Sequence, residues 1–255
     1  QTGLQLVLSA GQGEFTRFVI APGDAEEAYC ASQLALQISW KYQIPSIILT
    51  DKAMAEGAYS FDIGSCNEIK EEAAALWDAR PPYKRYANTD NGVSPLAFPG
   101  EKDAVIKANS YEHDEAGIST EEPAVTIKMQ DKRLRKGKYL AAELESYESV
   151  KVYGNKNSAT ALLCWGSNKG VCIEIADMLG LKVIQPTVMA PFPLEQFRSA
   201  LKGVNKVIAV ENNATGQLAK IVNSCGRIVD EAILKYDGRS FSLEELEAKV
   251  RKALT

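Results

Sequence analysis

Apolar and polar residues follow one another along this chain in a pattern typical of an α/β protein. An apolar run at residues 18–21 predicts a buried strand, and residues 25–42 repeat apolar positions at helical spacing up to Pro45. A second apolar run at residues 46–51 completes a strand–helix–strand unit. Continuous apolar strands of this kind are typical of a parallel sheet that is covered on both faces.

Acidic residues mark the ends of this unit. We expect Asp24 to cap the helix, with Glu27 three positions later as its capping-box partner. Asp51 stands at the carboxyl end of the second strand, where open α/β sheets bind ligands. It either contacts a ligand there or caps a short helix over residues 52–56.

From residue 158 onward, strands and helices are expected to alternate regularly. The spacing predicts strands at residues 160–164, 181–184, 206–210 and 227–229, and helices at residues 167–179, 194–201, 214–224 and 243–253. Ser242 is expected to cap the last helix, with Glu245 at its third position. This order predicts a doubly wound domain with right-handed crossovers. The polar segment at residues 143–157 is the expected boundary, which divides the chain into residues 1–150 and 151–255.

Two strand-to-helix junctions in this second part are candidates for binding. Residues 165–170 (WGSNKG) could hold a phosphate at a helix amino terminus, but they match no nucleotide fingerprint, which favours a tight strand-to-helix turn. Residues 211–217 (ENNATGQ) face the carboxyl edge of the predicted sheet, where they either line a domain interface or take part in chemistry.

A long segment at residues 80–123 shows neither helical nor strand periodicity. Such long loops in compact domains are functional or disordered, and the aromatic residues of this one argue against a flexible linker. It carries the only histidine, in the run Ser110-Tyr111-Glu112-His113-Asp114-Glu115. The cluster could supply a general base or a substrate contact, and its carboxylates favour a protonated imidazole; otherwise it is a solvated charge run. The basic stretch at residues 128–138 is an anion or partner site, or a solvated linker helix.

Composition excludes several classes of protein. A net charge of −4 gives no electrostatic footprint for nucleic acid, and no apolar run approaches the roughly 20 residues of a membrane span. No charged-then-apolar leader opens the sequence.

The five cysteines (30, 66, 164, 172 and 225) are widely spaced and odd in number, which is typical of a reducing cytoplasm. Without C-x-x-C pairs, and with one histidine, the chain is not expected to hold zinc or an iron–sulfur cluster by itself. Cys164 and Cys172 are expected to be small buried hydrophobes.

Several motifs together resemble the alpha subunit of the 2-oxoacid:ferredoxin oxidoreductases, most closely the 2-oxoglutarate type. They are Gly13-Glu14-Phe15, residues 21–28 (APGDAEEA), residues 41–45 (KYQIP) leading into Leu49-Thr50-Asp51, residues 86–90 (YANTD), 92–95 (GVSP), 98–100 (FPG) and 110–115 (SYEHDE), then Gly117, Thr120-Glu121, Met129, Lys132-Arg133 and Lys136. The resemblance covers nearly the whole chain, and its loop motifs are more specific than the general α/β pattern.

The resemblance implies an α/β fold: the remainder of a thiamine-diphosphate pyrimidine-type domain, followed by a domain similar to the transketolase carboxyl-terminal domain. It implies an enzyme that decarboxylates a 2-oxoacid oxidatively, forms an acyl-coenzyme A and passes electrons to ferredoxin. A beta subunit is the expected partner. It would bind the diphosphate, Mg²⁺ and an iron–sulfur cluster, with none of the clusters on this chain.

The family carries a glutamate that contacts the thiamine aminopyrimidine, and an arginine and a threonine that contact the substrate, upstream of the Gly-Glu-Phe motif. We therefore expect the sequence to be an amino-terminally truncated subunit. Of the family's active-site residues, only the aspartate matching Asp114 carries over, and His113 is added as its neighbour.

Two other interpretations stay open at this point. The chain could be a non-catalytic structural or interaction module of a multi-subunit complex. It could also belong to another transketolase-like enzyme, such as a dehydrogenase subunit that uses lipoamide, although the Ser-Tyr-Glu-His-Asp-Glu loop argues against that assignment.

Overall fold

Two β-sheets with helices packed around them form the framework of the chain. The structure is a computed structural model that describes residues 1–65 and 73–255. Cys66, one of the cysteines considered above, lies outside the described residues. No helix in the described ranges is both long and apolar enough to cross a bilayer.

The described residues of the first part form four α-helices and two strands. In chain order they are α1 (Leu4–Ser9), β1 (Phe18–Ile20), α2 (Ala25–Tyr42), β2 (Ser46–Ile48), α3 (Lys52–Glu56), a 3₁₀ turn (Ile63–Ser65) and α4 (Pro123–Leu144). Between residues 73 and 122 the chain has no helix or strand and makes only isolated bridges, such as that between His113 and Ser119. The long loop is therefore confirmed.

The second part of the chain alternates strands with helices. Its elements are β3 (Val150–Gly154), β4 (Thr160–Cys164), α5 (Asn168–Leu179), β5 (Lys182–Pro186), β6 (Val188–Ala190), α6 (Leu194–Ala200), β7 (Lys206–Glu211), α7 (Gln217–Ser224), β8 (Glu231–Leu234) and α8 (Leu243–Leu254). The predicted strand at residues 227–229 is wrong: the strand lies at β8, beyond Asp230, whose carboxylate accepts a hydrogen bond from Val207 N.

The first sheet has the order β2–β1–β6, and the second has the order β3–β5–β4–β7–β8. β1 is parallel to β2, as predicted, and antiparallel to β6. In the second sheet β5, β4, β7 and β8 are parallel, while β3 is an antiparallel edge strand. The predicted doubly wound architecture is confirmed for this sheet.

Two strands were not predicted from the sequence. β3 lies in the polar segment assigned to a boundary, because an edge strand with residues such as Lys151 and Tyr153 lacks a continuous apolar run. β6 has three residues, and it joins the first sheet although it follows β5 of the second. The division at residue 150 stays a prediction. The structure adds that a strand from the second part completes the sheet of the first.

Capping residues begin the helices as the sequence predicts. The Asp24 carboxylate accepts a hydrogen bond from Glu27 N at 2.9 Å, and the Ser242 hydroxyl accepts one from Glu245 N at 3.2 Å. Asp51 caps α3 by accepting from Met54 N at 3.3 Å. The reciprocal half of the first capping box differs from expectation. The Glu27 side chain accepts from Gly23 N at 2.7 Å, and its carboxylate also pairs with Lys151 and Lys169.

A continuous core joins the two sheets. Val19 of β1, Leu163 of β4 and Trp165 belong to one buried cluster that includes Phe197 of α6. Cys164 and Cys172 are fully buried in a second cluster beneath α5 and α8, as predicted, and the hydrogen bond between the two thiols, together with burial, raises the pKa of the Cys172 thiol. Because one cluster spans both sheets, they pack as one unit.

A buried carboxylate also links the two parts of the chain. Glu27 of α2 is 7% exposed and lies 2.7 Å from Lys169 Nζ of α5 and 3.1 Å from Lys151 Nζ of β3. Gln185 Nε2 of β5 and the Tyr153 hydroxyl of β3 donate to the same carboxylate. Burial alone would raise the pKa of Glu27, but the two lysines outweigh burial and lower it to about 2.

We predict that Glu27→Gln destabilises the fold by about 3 kcal/mol near neutral pH, because a carboxyl pKa that falls from 4.5 to about 2 on folding stabilises the folded state by that order. Urea unfolding measures the loss. The exposed pair of Lys52 and Glu56 supplies the control: Glu56→Gln should cost about 0.5 kcal/mol or less.

The pH dependence of this effect follows from the direction of the pKa shift. Since the folded pKa of Glu27 is depressed, its stabilising contribution is present above the unfolded value of 4.5 and is lost as the pH falls toward 2. The difference in unfolding free energy between wild type and Glu27→Gln should therefore shrink between about pH 5 and pH 2. A difference that stays constant over this interval would contradict the assignment.

Candidate functional site

The predicted site residues, His113 and Asp114, lie in a tight turn of the long loop. Asp114 Oδ1 accepts hydrogen bonds from Ala116 N and Ile118 N, both at 2.9 Å, and Asp114 O lies 3.0 Å from His113 Nδ1. Asp114 is half-buried, and its second carboxylate oxygen makes no hydrogen bond to any residue within 1–65 and 73–255. One oxygen therefore shapes the turn, and the other is available to a ligand.

His113 is buried, at 7% exposed, and stacks on Tyr86 with ring centroids 3.7 Å apart. A carbonyl oxygen only accepts hydrogen bonds, so the Nδ1 atom facing Asp114 O carries a proton. The solvated charge run that local sequence allowed is therefore wrong for His113, which is held by a ring stack and a hydrogen bond.

The acidic neighbours of these two residues are held by helix α4. Arg133 forms a two-pronged ion pair with Glu112, and Lys128 pairs with Glu115, which also accepts from Asn88 N. Burial raises the pKa of Glu112, but the hydrogen bonds from Arg133 and from His113 N together lower it. The carboxylates on either side of His113 and Asp114 therefore anchor the turn.

The basic stretch on α4 differs from the solvated linker helix that the sequence allowed. Lys132 is buried, at 7% exposed, and its Nζ donates to Tyr86 O at 3.0 Å and to Ser94 Oγ at 2.5 Å. The signal was present in the helical spacing. The buried residues of α4 recur on one face, and the half-buried Lys136 lies on the same face. The buried residues are Met129, Lys132, Leu140 and Leu144.

Close backbone packing holds the loop against the same helix. Gly92 has a φ of +76°, and a Cβ atom there would come within 2.5 Å of Lys132 O. Only glycine allows both this conformation and this approach. The loop and α4 therefore form one unit, with His113 on its inner side.

A second candidate region lies at the carboxyl edge of the second sheet. The strand order reverses between β4 and β7, and such a switch point is where open α/β sheets bind ligands. Gln1 occupies this crevice: its Oε1 accepts from Asn168 Nδ2 and Asn212 N, both at 3.0 Å, and its Nε2 donates to Trp165 O at 2.7 Å. A cavity of about 280 Å³ adjoins it.

The two junctions singled out from the sequence both meet at this crevice. Ser167 Oγ donates to Asp51 Oδ2 at 2.6 Å, so the 165–170 turn contacts the end of β2. Buried Glu211 caps α7, accepting from Leu218 N at 2.9 Å and Ala219 N at 3.0 Å. Gln217 Nε2 donates to Thr2 O at 2.9 Å. Residues 211–217 therefore contact the start of the chain, and their role in a domain interface stays a prediction.

The structure does not bring the predicted loop residues together with this crevice. The His113 turn packs near Thr16 and Pro45, which precede β1 and β2, and so lies at the amino edge of the first sheet. Asp51, Ser167 and Asn212 lie at the carboxyl edge. Ser167 and Asn212 belong to the two junctions that the sequence singled out, whereas Gln1 was not identified, because a single polar residue carries no spacing motif.

The carboxylates near the carboxyl edges already have partners. Asp51 accepts from Met54 N and Ser167 Oγ, and Glu27 is bound by Lys151 and Lys169. A thiamine aminopyrimidine needs a free carboxylate, so among the described residues these two do not fit that part of the cofactor. Residues 1–65 and 73–255 contain no group of three or more His, Cys, Asp or Glu side chains that could hold a metal ion.

Comparisons with known proteins agree with this architecture. Residues 4–132 match the sequence profile of the family described as pyruvate flavodoxin/ferredoxin oxidoreductase, thiamine diphosphate-binding. The 2-oxoacid:ferredoxin oxidoreductase subunit alpha of Saccharolobus solfataricus is 35% identical over 98% of the chain and 41% of its own length. The 2-oxoglutarate oxidoreductase subunit KorA of Mycobacterium tuberculosis is 26% identical over 100% of the chain and 39% of its own length.

A solved structure extends the similarity to three dimensions. The 2-oxoglutarate:ferredoxin oxidoreductase from Magnetococcus marinus, with 2-oxoglutarate, coenzyme A and succinyl-CoA bound, superposes with a TM-score of 0.86 at 26% identity. The match covers 100% of this chain and 45% of that one. The chain thus spans about two fifths of the length of the relatives that it matches. With the family profile matched over residues 4–132, the chain belongs to the pyruvate flavodoxin/ferredoxin oxidoreductase family with its thiamine-diphosphate-binding domain, as part of an alpha subunit.

Proposed function

We propose that this chain belongs to the alpha subunit of a 2-oxoglutarate:ferredoxin oxidoreductase. The complex would decarboxylate the 2-oxoacid oxidatively, form an acyl-coenzyme A and pass the electrons to ferredoxin. The observation that carries this proposal is the likeness of the whole chain to an oxidoreductase that holds 2-oxoglutarate, coenzyme A and succinyl-CoA. The motifs of the long loop, between residues 86 and 115, support the same assignment.

A beta subunit is the partner that this proposal requires. We assign to it the diphosphate, Mg²⁺ and an iron–sulfur cluster, because the edge carboxylates described here are engaged within the fold. We place the complex in the cytoplasm, in keeping with the free thiols of Cys164, Cys172 and Cys225.

Within this proposal Asp114 is the residue that meets the substrate, and His113 holds it in place. Support comes from Asp114 Oδ2, which no described side chain or backbone N–H binds, while Oδ1 is fixed by Ala116 N and Ile118 N. The Asp114 carboxylate repels the carboxylate groups of a 2-oxoacid and would not bind them. Asp114 would instead accept a hydrogen bond or a proton from the atoms of the substrate that react. Because the turn lies at the amino edge, that contact requires another part of the complex to bring the substrate there.

We predict that Asp114→Asn lowers kcat for 2-oxoglutarate in the full-length complex by about 100-fold, because general acid–base groups contribute at least this much. The amide oxygen still accepts from Ala116 N and Ile118 N, so the turn is retained. Ferredoxin reduction measures the rate. Asp131→Asn, an exposed change on α4, is the control and should leave kcat unchanged. Unchanged kcat and KM of Asp114→Asn across several 2-oxoacids would refute the catalytic role.

The alternative function is a non-catalytic interaction module, and the engaged carboxylates of Asp51 and Glu27 favour it for this chain taken alone. We therefore predict that the chain of residues 1–255, titrated with thiamine diphosphate and Mg²⁺ in a calorimeter, shows no binding in the micromolar range. Micromolar binding by the chain alone would exclude the module interpretation, since the cofactor would then be held without a partner.

A further inference from the structure

A small cavity lies between the long loop and helix α4. It has a volume of about 240 Å³ and is lined on one side by Lys132, Arg133 and Lys136, and on the other by Tyr86 and His113. Gln43 and Pro45 close it from below, so it opens at the amino edge of the first sheet. The carboxyl-edge crevice at Gln1 is a separate place.

The charged side chains that line this cavity are all cationic. Within residues 1–65 and 73–255 no carboxylate lines it, and only Arg133 is neutralised, by Glu112. Lys132 is held by two uncharged acceptors, Tyr86 O and Ser94 Oγ. Lys136 is half-buried and makes no hydrogen bond or ion pair with any described residue. The cavity therefore contains two ammonium groups without a counter-ion.

Two such charges are costly in a partly buried site. Burial lowers the pKa of Lys132 to about 7, with Lys136 and Arg85 adding to the effect. Burial likewise lowers the pKa of Lys136 to about 8, with Arg85 and Arg133 adding to it. An anion that enters the cavity replaces lost hydration and offsets the repulsion, so it binds most favourably when both lysines are charged.

Unused donors face this space from helix α4. Lys132 uses two of its three N–H groups, and Lys136 uses none. Lysine binds phosphate well as a point charge. The volume of about 240 Å³ is below the roughly 300–1,000 Å³ of pockets for drug-sized ligands, so a small ion fits and a nucleotide does not.

We propose that this cavity binds a small tetrahedral oxyanion, either phosphate itself or the phosphoryl group of a small ester, at the ammonium groups of Lys132 and Lys136. The bound ion would lie between these two lysines of α4 and the loop wall formed by Tyr86 and His113. Since His113 adjoins Asp114, the ion would also fix the turn that carries Asp114. The effect of the ion on Asp114 rests on the proposed function, whereas the binding of the ion does not.

The test is calorimetric titration of the full-length chain, in complex with its partner subunit, with inorganic phosphate in a chloride buffer. We expect one saturable site per chain. Lys136→Met should weaken binding about 10-fold or more, because a hydrogen bond to a charged group is lost. Lys138→Met, an exposed lysine on the same helix, should bind as wild type does. Lys136→Arg, which keeps the charge, should bind within a few-fold of wild type and shows that loss in Lys136→Met is not misfolding.

Two further arms separate the sources of the ion and the possible failures. A small phosphate monoester that competes with phosphate shows that esterified phosphoryl groups enter, while its exclusion leaves the free ion as ligand. Absence of saturable phosphate binding, or equal binding by Lys136→Met and wild type, would overturn the proposal. So would displacement of phosphate by 2-oxoglutarate at equal or lower concentration, which would make the cavity a carboxylate site. None of these measurements depends on turnover, so their outcome is independent of whether the proposed enzyme activity is confirmed.

Discussion

A single buried carboxylate determines how the two sheets of this chain meet. Glu27 is drawn between Lys169 of α5 and Lys151 of β3, while its own helix begins at Asp24. Removing two or three charges from water is costly unless each is paired and hydrogen-bonded, so α2, α5 and β3 can pack only in an arrangement that completes the cluster. The contact between Asp51 and Ser167, and with it the crevice at Gln1, depends on this arrangement.

The sequence pattern correctly predicted those helices and strands that depend on interactions between neighbouring residues. The bounds of α2 and β4 coincide with the predicted ranges, because apolar spacing and a capping aspartate act within a few residues. β3 and β6 were missed, because the pairing of edge strands depends on partners that are distant in sequence. The candidate turn at His113 was found as a motif, but its position at the amino edge follows from ion pairs with α4, which no spacing within the loop encodes.

The separation of the two edges shapes the functional interpretation. At the carboxyl edge, Gln1 and Ser167 engage Trp165 O and the Asp51 carboxylate, but the buried Asn212 Oδ1 has no hydrogen-bond partner among the described residues and a cavity of about 280 Å³ lies beside it. At the amino edge, Asp114 keeps one carboxylate oxygen and Lys136 keeps its ammonium group without a partner among the described residues. Unused binding capacity therefore remains at both edges, and this is consistent with an alpha subunit whose chemistry is completed by other parts of its complex.

The way in which the loop is attached explains how it can serve such a role. Glu112 and Glu115 meet Arg133 and Lys128 as half-exposed ion pairs, which are individually weak and screened by salt. The apolar core, by contrast, lies beneath α2 and the opposite end of α4, around Ile38 and Leu140. Val93 of the same loop is part of this core and Gly92 packs against Lys132 O, so the middle of the loop is fixed by packing and the ion pairs add to the attachment of the turn at His113. The charge contribution to this attachment falls as salt screens the ion pairs, and the anion proposed between Lys132 and Lys136 would add a further charge contact beside the turn.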